Sequence, residues 1–247
     1  MNRLLKYGLI IGVIVVCLAY TVFASGKSTS AAQRKVCSNI QISITDYDKR
    51  MLLNKEEVAV LLKEKDLNPI GKTLSRIRTK SIEDEVEKHP MVRRAECYKT
   101  PDGTVYISIV QRTPVLRVVG EDDYYVDDLR KTMPVSPNHA AYVPVFTGRV
   151  TKKMATGSIY DFAQYLNKDE FWGNQIDQIN INQDMKVELV PRVGNHIIML
   201  GSFDRFEQKL EKLRKFYLYG LNEIGWNAYS KIDLQYRDQV VCTRKSN

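Results

Sequence analysis

The chain has 247 residues, 44% of them hydrophobic, which is enough for one or two globular domains. Its 37 basic residues stand against 29 acidic ones, giving a formal net charge of +8. Lysine and arginine are scattered along the whole chain rather than gathered in one stripe, which argues against a nucleic-acid-binding protein; attraction to anionic lipid headgroups explains the charge better.

An uncharged apolar run occupies residues 7–24, after Arg3 and Lys6. As a helix it spans roughly 27 Å, close to the thickness of a hydrocarbon core. The run exceeds the roughly 7–15 residues of a usual signal-peptide core and therefore predicts an uncleaved transmembrane anchor. A cleaved signal peptide stays open as the alternative. We expect residues 1–6 in the cytoplasm and the body of the protein on the other side of the membrane.

Residues 25–35 are small and polar and predict a linker. The stretch GKST within it resembles the end of a phosphate-binding loop, but the upstream glycine and the preceding strand are missing, so we exclude that function.

The stretch from Cys37 to Pro114 predicts a compact module. Asn54 followed by Glu57 is a capping box that predicts a helix start, and Pro90 ends a second helix. The turn TPDG predicts a hairpin between the last two strands. The predicted order is a strand at Cys37–Ile44, a helix after Asn54, a helix at Ser81–Lys88, and strands at Met91–Tyr98 and Thr104–Val110.

Pro114 interrupts the alternating pattern that begins at Val105. Because proline has no amide hydrogen, one uninterrupted central strand through this position is not expected. Beyond it the sequence predicts a strand-turn-strand at 124–136, a short stretch at 143–148, a helix at Ser158–Leu166, strands at Ile176–Ile181, Val187–Val190 and Ile197–Leu200, a helix from about Asp204, the stretch IDLQY at 232–236, and a last strand around Asp238–Thr243.

Candidate catalytic groups are few and dispersed. His89, His139 and His196 predict ordinary capping or surface residues, and the acidic residues of 121–128 predict hairpin-turn acids rather than a cation site. No nucleophile or metal-protease motif occurs, so we expect no enzymatic activity, no cofactor and no metal.

Aromatic residues gather around the helix that follows Asp204. They predict a core stripe, with a sugar-binding platform as the alternative. The residues concerned are Phe203, Phe206, Phe216, Tyr217 and Tyr219.

Four cysteines are present. Cys17 lies in the apolar run, and Cys37, Cys97 and Cys242 predict small buried residues in a chain too large to need disulfides. The spacing permits a Cys37–Cys97 bridge without requiring it.

Two stretches around the predicted hairpin resemble the FtsQ/DivIB cell-division family. They are His89-Pro90-Met91-Val92 and ISIVQRTPV at 107–115, and IDLQY resembles the family's Val-Asp-Leu-Arg-Tyr. The resemblance implies an α+β fold with a transmembrane helix, a POTRA module (βααββ) at 36–113 and a mixed β domain at 114–247. Arg112 and Pro114 are then the domain junction.

Three positions depart from the family pattern. Gln111 stands where glutamate is usual, Leu129-Arg130 where a turn glycine is usual, and Gln235 where arginine is usual.

The resemblance also implies a function and a place. The protein is expected to be a single-pass scaffold of the bacterial inner membrane with its body in the periplasm, recruiting small partners of the FtsB/DivIC and FtsL type by strand addition at its C-terminal edge. The partner-binding residues are then Tyr236 as an aromatic anchor, Gln235, Val240 and Val241. A second surface is expected at Val92–Tyr98. The alternatives are a POTRA-bearing export or outer-membrane assembly factor and a peptidoglycan-binding protein.

Overall fold

The computed structural model describes residues 14–20, 35–47, 51–137 and 139–245. They belong to two compact units, an N-terminal unit that ends at Gln111 and a C-terminal unit that begins at Arg112. The predicted cytoplasmic tail, and nearly all of the predicted linker, lie outside the described residues, as does most of the predicted anchor. Residues 14–20 are helical, and within the described ranges we find no helix with the length and apolar character needed to cross a membrane.

The N-terminal unit is a three-stranded sheet with two helices, in the predicted order. The sheet order is β1-β3-β2, with β1 parallel and β2 antiparallel to the central β3. The elements are β1 (Asn39–Thr45), α1 (Lys55–Glu64), α2 (Thr79–Glu87), β2 (Val92–Lys99) and β3 (Thr104–Gln111).

Local signals explain the helix starts and the hairpin of this unit. The Asn54 carboxamide oxygen accepts the Glu57 amide hydrogen at 2.7 Å, which confirms the predicted cap. In the TPDG turn Gly103 has a φ of +98°, a left-handed conformation that favours glycine. Helix residues such as Val58 and Val86 are buried, as are Ile107 and Ile109 of β3, and all four are less than 2% exposed.

Gln111 is the last residue of β3, and its buried side chain links this strand to two other segments of the unit. Its side-chain oxygen accepts the amide hydrogens of Leu52 and Leu53 at 3.1 and 3.2 Å. Its side-chain nitrogen donates to the Thr45 carbonyl at 3.4 Å. The residue is 1% exposed. An amide supplies both the acceptor and the donor that this buried position uses, whereas an ionised carboxylate would supply only the acceptor.

The C-terminal unit is built on one nine-stranded sheet of order β12-β11-β10-β9-β8-β7-β4-β5-β6. Its strands are β4 (Pro114–Val118), β5 (Tyr124–Asp127), β6 (Thr132–Pro134), β7 (Val145–Gly148), β8 (Ile176–Ile181), β9 (Val187–Pro191), β10 (Ile197–Gly201), β11 (Tyr229–Asp233) and β12 (Val241–Arg244). Its helices are α3 (Lys152–Ala155), α4 (Ser158–Lys168), α5 (Glu170–Gln175), α6 (Phe206–Lys215) and α7 (Asn222–Ile224), and a π-helix (Phe216–Leu221) joins α6 to α7.

One hydrophobic core joins the sheet to α4, α5, α6 and the π-helix. Trp172, Phe146, Phe162 and Tyr217 are its largest fully buried members. The aromatic stripe along α6 therefore belongs to this core, as predicted. Tyr219 is the exception, because it is 77% exposed.

Arg130 occupies the turn between β5 and β6 with a φ of +59°. This is the conformation that a turn glycine would adopt without strain. Arg130 is held there because its guanidinium lies 4.1 Å from the centre of the Tyr160 ring and donates to the Thr156 carbonyl at 2.9 Å. These contacts offset the cost of a left-handed non-glycine residue.

Pro114 opens β4 rather than interrupting it. At the first position of a strand a missing amide hydrogen costs little. Two residues before it, Arg112 pairs through Nε with the Asp127 carboxylate at 2.8 Å, and Asp127 is 1% exposed. The other oxygen of that carboxylate accepts the amide hydrogens of Leu129 and Lys131. The chain is thus fixed at the point where the C-terminal unit begins.

Candidate functional site: the C-terminal sheet edge

β12 forms one edge of the nine-stranded sheet, and β11 is its sole neighbour among the described strands. The two strands are antiparallel, with Asp233 opposite Val241 and Lys231 opposite Thr243. Val240 and Cys242 pack against the core, whereas Val241 is 40% exposed. The last strand therefore presents one apolar side chain to solvent beside its free edge.

The outward backbone groups of β12 follow from the pairing of β11. The Leu234 amide donates to the Met199 carbonyl on β10, so alternation turns the backbone of Asp233 towards β12. Asp233 and Val241 are then a hydrogen-bonded pair. The amide and carbonyl groups of Cys242 and Arg244 consequently face away from the sheet, where a further strand can bind them.

The segment between β11 and β12 carries Tyr236 and is fixed by Lys212 of α6. The Lys212 ammonium donates to the carbonyls of Tyr236, Arg237 and Gln239. The Tyr236 side chain remains 50% exposed. The structure thus places Tyr236 before β12, at one end of the free edge, and not on the strand itself.

Gln235 folds back onto its own strand. Its backbone and side-chain nitrogens donate to the Asp233 carboxylate at 3.0 and 3.1 Å. The side chain lies across Gly201, where a Cβ atom would come within 2.5 Å of the Gln235 Cγ. Its donors are therefore already engaged.

Two other sheet edges, those of β2 and β6, are less accessible than β12. On β2, the outward amides of Ala95 and Cys97 donate to Glu87 and Glu83 of α2 at 3.0 and 2.8 Å. Two outward amides of the expected surface at Val92–Tyr98 are therefore already bound, and an added strand would have to displace these carboxylates.

β6 is protected against pairing with another chain in a different way. It is only three residues long and ends in Pro134. Arg112 donates to the carbonyls of Lys131 and Thr132 beside it, at 3.1 Å each. Short edge strands with proline discourage pairing with another chain.

The histidines do not assemble a catalytic site. His196 is 2% exposed, and its Nε2 lies 2.7 Å from the Tyr217 hydroxyl, so the prediction of a surface or capping residue is wrong for His196. Burial lowers the pKa of His196 and also that of His89. His139 is exposed, and no His/Cys/Asp/Glu cluster suited to a metal occurs in the parts of the chain that the structure describes.

Two of the acids in the 121–128 stretch are engaged in structural pairs. The Arg117 guanidinium holds the pKa of Asp123 below its usual value, together with the Gly120 amide.

Cys37 and Cys97 are buried free thiols, so the bridge that the spacing permits is not formed, and burial raises the pKa of Cys97 to about 12.

Comparison with known proteins identifies both units. A family model described as FtsQ/DivIB, C-terminal related matches residues 113–243, and a POTRA-like domain model matches residues 35–110. The cell division protein FtsQ of Geotalea daltonii is 25% identical over 178 residues, which cover 67% of this chain. The matched segment spans 63% of that relative's length.

Proposed function

The chain belongs to the FtsQ/DivIB family, and from this premise we propose that it is a non-catalytic cell-division scaffold of the bacterial envelope. In this proposal residues 7–24 anchor the chain in the inner membrane and the two units lie in the periplasm. Small single-pass partners of the FtsB/DivIC and FtsL type are recruited by adding a strand to β12.

The observation that supports this proposal is the free edge of β12 with its outward groups at Cys242 and Arg244. An added strand gains affinity from main-chain hydrogen bonds and specificity from alternate side chains. Val241 supplies such a side-chain contact, and Tyr236 supplies an aromatic surface at one end of the strand. Tyrosine is a frequent anchor at protein interfaces because it buries a large area with little conformational entropy loss.

Val241→Asp is the sharpest test of the site. Val241 is half-exposed, so the substitution places a charge beside the added strand without entering the core. Removing the chain from Ile232 onwards would be a less specific test. Ile232 and Leu234 are fully buried, so the truncation would also disturb the core, and a loss of partners would not identify the edge. We expect recovery of small single-pass partners from native membranes to fall about tenfold, the effect of roughly 1.4 kcal/mol.

The matched control is Val193→Asp, in the connection between β9 and β10. Val193 is 49% exposed and lies away from β12 in the sheet. The control should recover partners at the wild-type level. Equal recovery with Val241→Asp and the wild type would eliminate β12 as the docking edge.

A further inference from the structure

The outer side of β1 is a second free edge, in the N-terminal unit. β1 is hydrogen-bonded to β3 alone among the described strands. The Ser38 amide donates to the Gly103 carbonyl at 2.9 Å, on the β3 side. Thr104 is bonded to Thr100 on the β2 side, so Val105 and Ile107 turn their backbone groups towards β1. In a parallel pair the opposite residue faces the other way, so the backbone groups of Ile40, Ile42 and Ile44 face outward.

The neighbouring contacts delimit the edge. The outward groups of Lys35 and Cys37 are bonded to the segment 71–74, at 2.8–2.9 Å. That cover ends before Asn39. At the far end, Asp46 leaves the strand with a φ of 56°.

β1 carries none of the features that protect β2 and β6. Its sequence, NIQISIT, has no charged residue and no proline. Ile40 and Ile42 point to the core side of the sheet, yet both are only half-buried, while Ile44 is buried. An edge that is uncharged, apolar on one face and unpaired is a template for another strand.

We propose that β1 pairs with β1 of a second copy of the chain, antiparallel, about a two-fold axis at Ile42. This register sets Ile40 opposite Ile44 of the partner and Gln41 opposite Ser43 of the partner. Isoleucine meets isoleucine on one face and polar meets polar on the other. A shift by one residue would oppose isoleucines to polar side chains, so the pattern selects this register.

The backbone geometry agrees with the same axis. Ile40, Ile42 and Ile44 have outward amide and carbonyl groups, so Ile40 forms a hydrogen-bonded pair with Ile44 of the partner. Ile42 lies on the axis as a hydrogen-bonded pair, in which the two Cα atoms are about 5.5 Å apart, a separation that a disulfide can span. The contact is isologous, as closed two-fold dimers require.

The pairing is expected to be weak in dilute solution. One short strand buries less than the standard interface of about 1,600 Å². Chains held at high local concentration, as on a shared membrane, would pair readily. β1 lies in a different unit from β12, so this inference does not depend on the proposed partner site.

Cysteine cross-linking of the full-length chain in native membranes tests the register. Cys17 and Cys242 are replaced by serine. Cys37 and Cys97 are kept because both are buried, and burial also raises the pKa of the Cys97 thiol to about 12, so that it resists ionisation. We expect Ile42→Cys to give a disulfide-linked dimer on mild oxidation. Gln41→Cys should give little, because position 41 faces position 43. Equal cross-linking at both positions would indicate random encounter and overturn the proposal.

A second test of the proposed dimer places a charged side chain on the edge of β1. Adding Ser43→Lys to Ile42→Cys brings two like charges together across the axis, and we expect about tenfold less dimer. Ser108→Lys, on the central strand beside Ser43, is the matched control and should leave the dimer unchanged.

A third measurement needs no introduced cysteine. Light scattering of the purified full-length chain should show concentration-dependent dimers that Ser43→Lys lacks. A monomer at every concentration together with no Ile42→Cys dimer would refute the pairing.

Discussion

Gln111→Leu removes a side chain that joins the end of β3 to the Leu52–Leu53 segment. The substitution removes the oxygen that accepts the Leu52 and Leu53 amide hydrogens. Each hydrogen bond lost at a buried amide costs about 1–3 kcal/mol, and a buried leucine returns about 1–2 kcal/mol of apolar transfer free energy. We expect a net loss of about 2–4 kcal/mol in the free energy that holds this segment closed.

Hydrogen exchange in the full-length chain is the direct assay, because it reports the Leu52 and Leu53 amides without requiring the whole protein to unfold. A loss of about 2 kcal/mol speeds their exchange by roughly 30-fold. Gln164→Leu is the matched control, since the Gln164 side chain donates to the Tyr160 hydroxyl and holds no backbone amide. Unchanged exchange at Leu52 and Leu53 in the Gln111 variant would refute the reasoning.

The remaining predictions concern the C-terminal unit. Gly148→Ala should destabilise it by more than about 2 kcal/mol, because φ is +83° and a Cβ atom would lie 2.1 Å from the Ile181 carbonyl oxygen. Gly225→Ala has a positive φ but no atom within 4 Å, so urea unfolding should show a smaller loss; equal losses would exclude the clash. His196 has a pKa lowered by burial, so its neutral form stabilises the fold above the unfolded pKa of about 6.5. That stability should be lost as the pH falls below this value. The free energy of unfolding should therefore fall more steeply with falling pH in the wild type than in His196→Gln, because His89 contributes equally to both proteins. Identical pH slopes would contradict this assignment.

Where a signal is local, the sequence predicts the structure well. The Asn54 cap is formed as its spacing indicates, and β8 has the predicted bounds Ile176–Ile181. Pro114 marks a strand start because the missing amide hydrogen is a property of one residue. These features need no information from distant parts of the chain.

Elsewhere the outcome depends on residues far apart in sequence. His196 looks like a polar residue at a strand start, and its burial depends on the π-helix that brings Tyr217 to it. Helix α5 was not predicted, because its six residues are too few to show helical periodicity. Its start is set by Asp169, which accepts the amide hydrogens of Phe171 and Trp172.

The candidate site was predicted in outline only. The sequence analysis placed the docking edge around Asp238–Thr243, but β12 begins at Val241 and leaves Tyr236 in the preceding segment. The sequence of an edge strand does not show which of its backbone groups another element already binds. β2 and β1 both alternate, and the outward amides of β2 are bound by Glu83 and Glu87 of α2.

The position of β4 in the sheet has a mechanical consequence. Tension applied to the chain before Arg112 reaches the C-terminal unit through β4, which is paired with β5 on one side and β7 on the other. A strand paired on both sides must break many hydrogen bonds together when it is pulled along its length. β12 has one neighbour among the strands that the structure describes, and it can be peeled away bond by bond. Under load, contacts at the C-terminal edge should therefore yield first, and the entry of the chain into the sheet should hold.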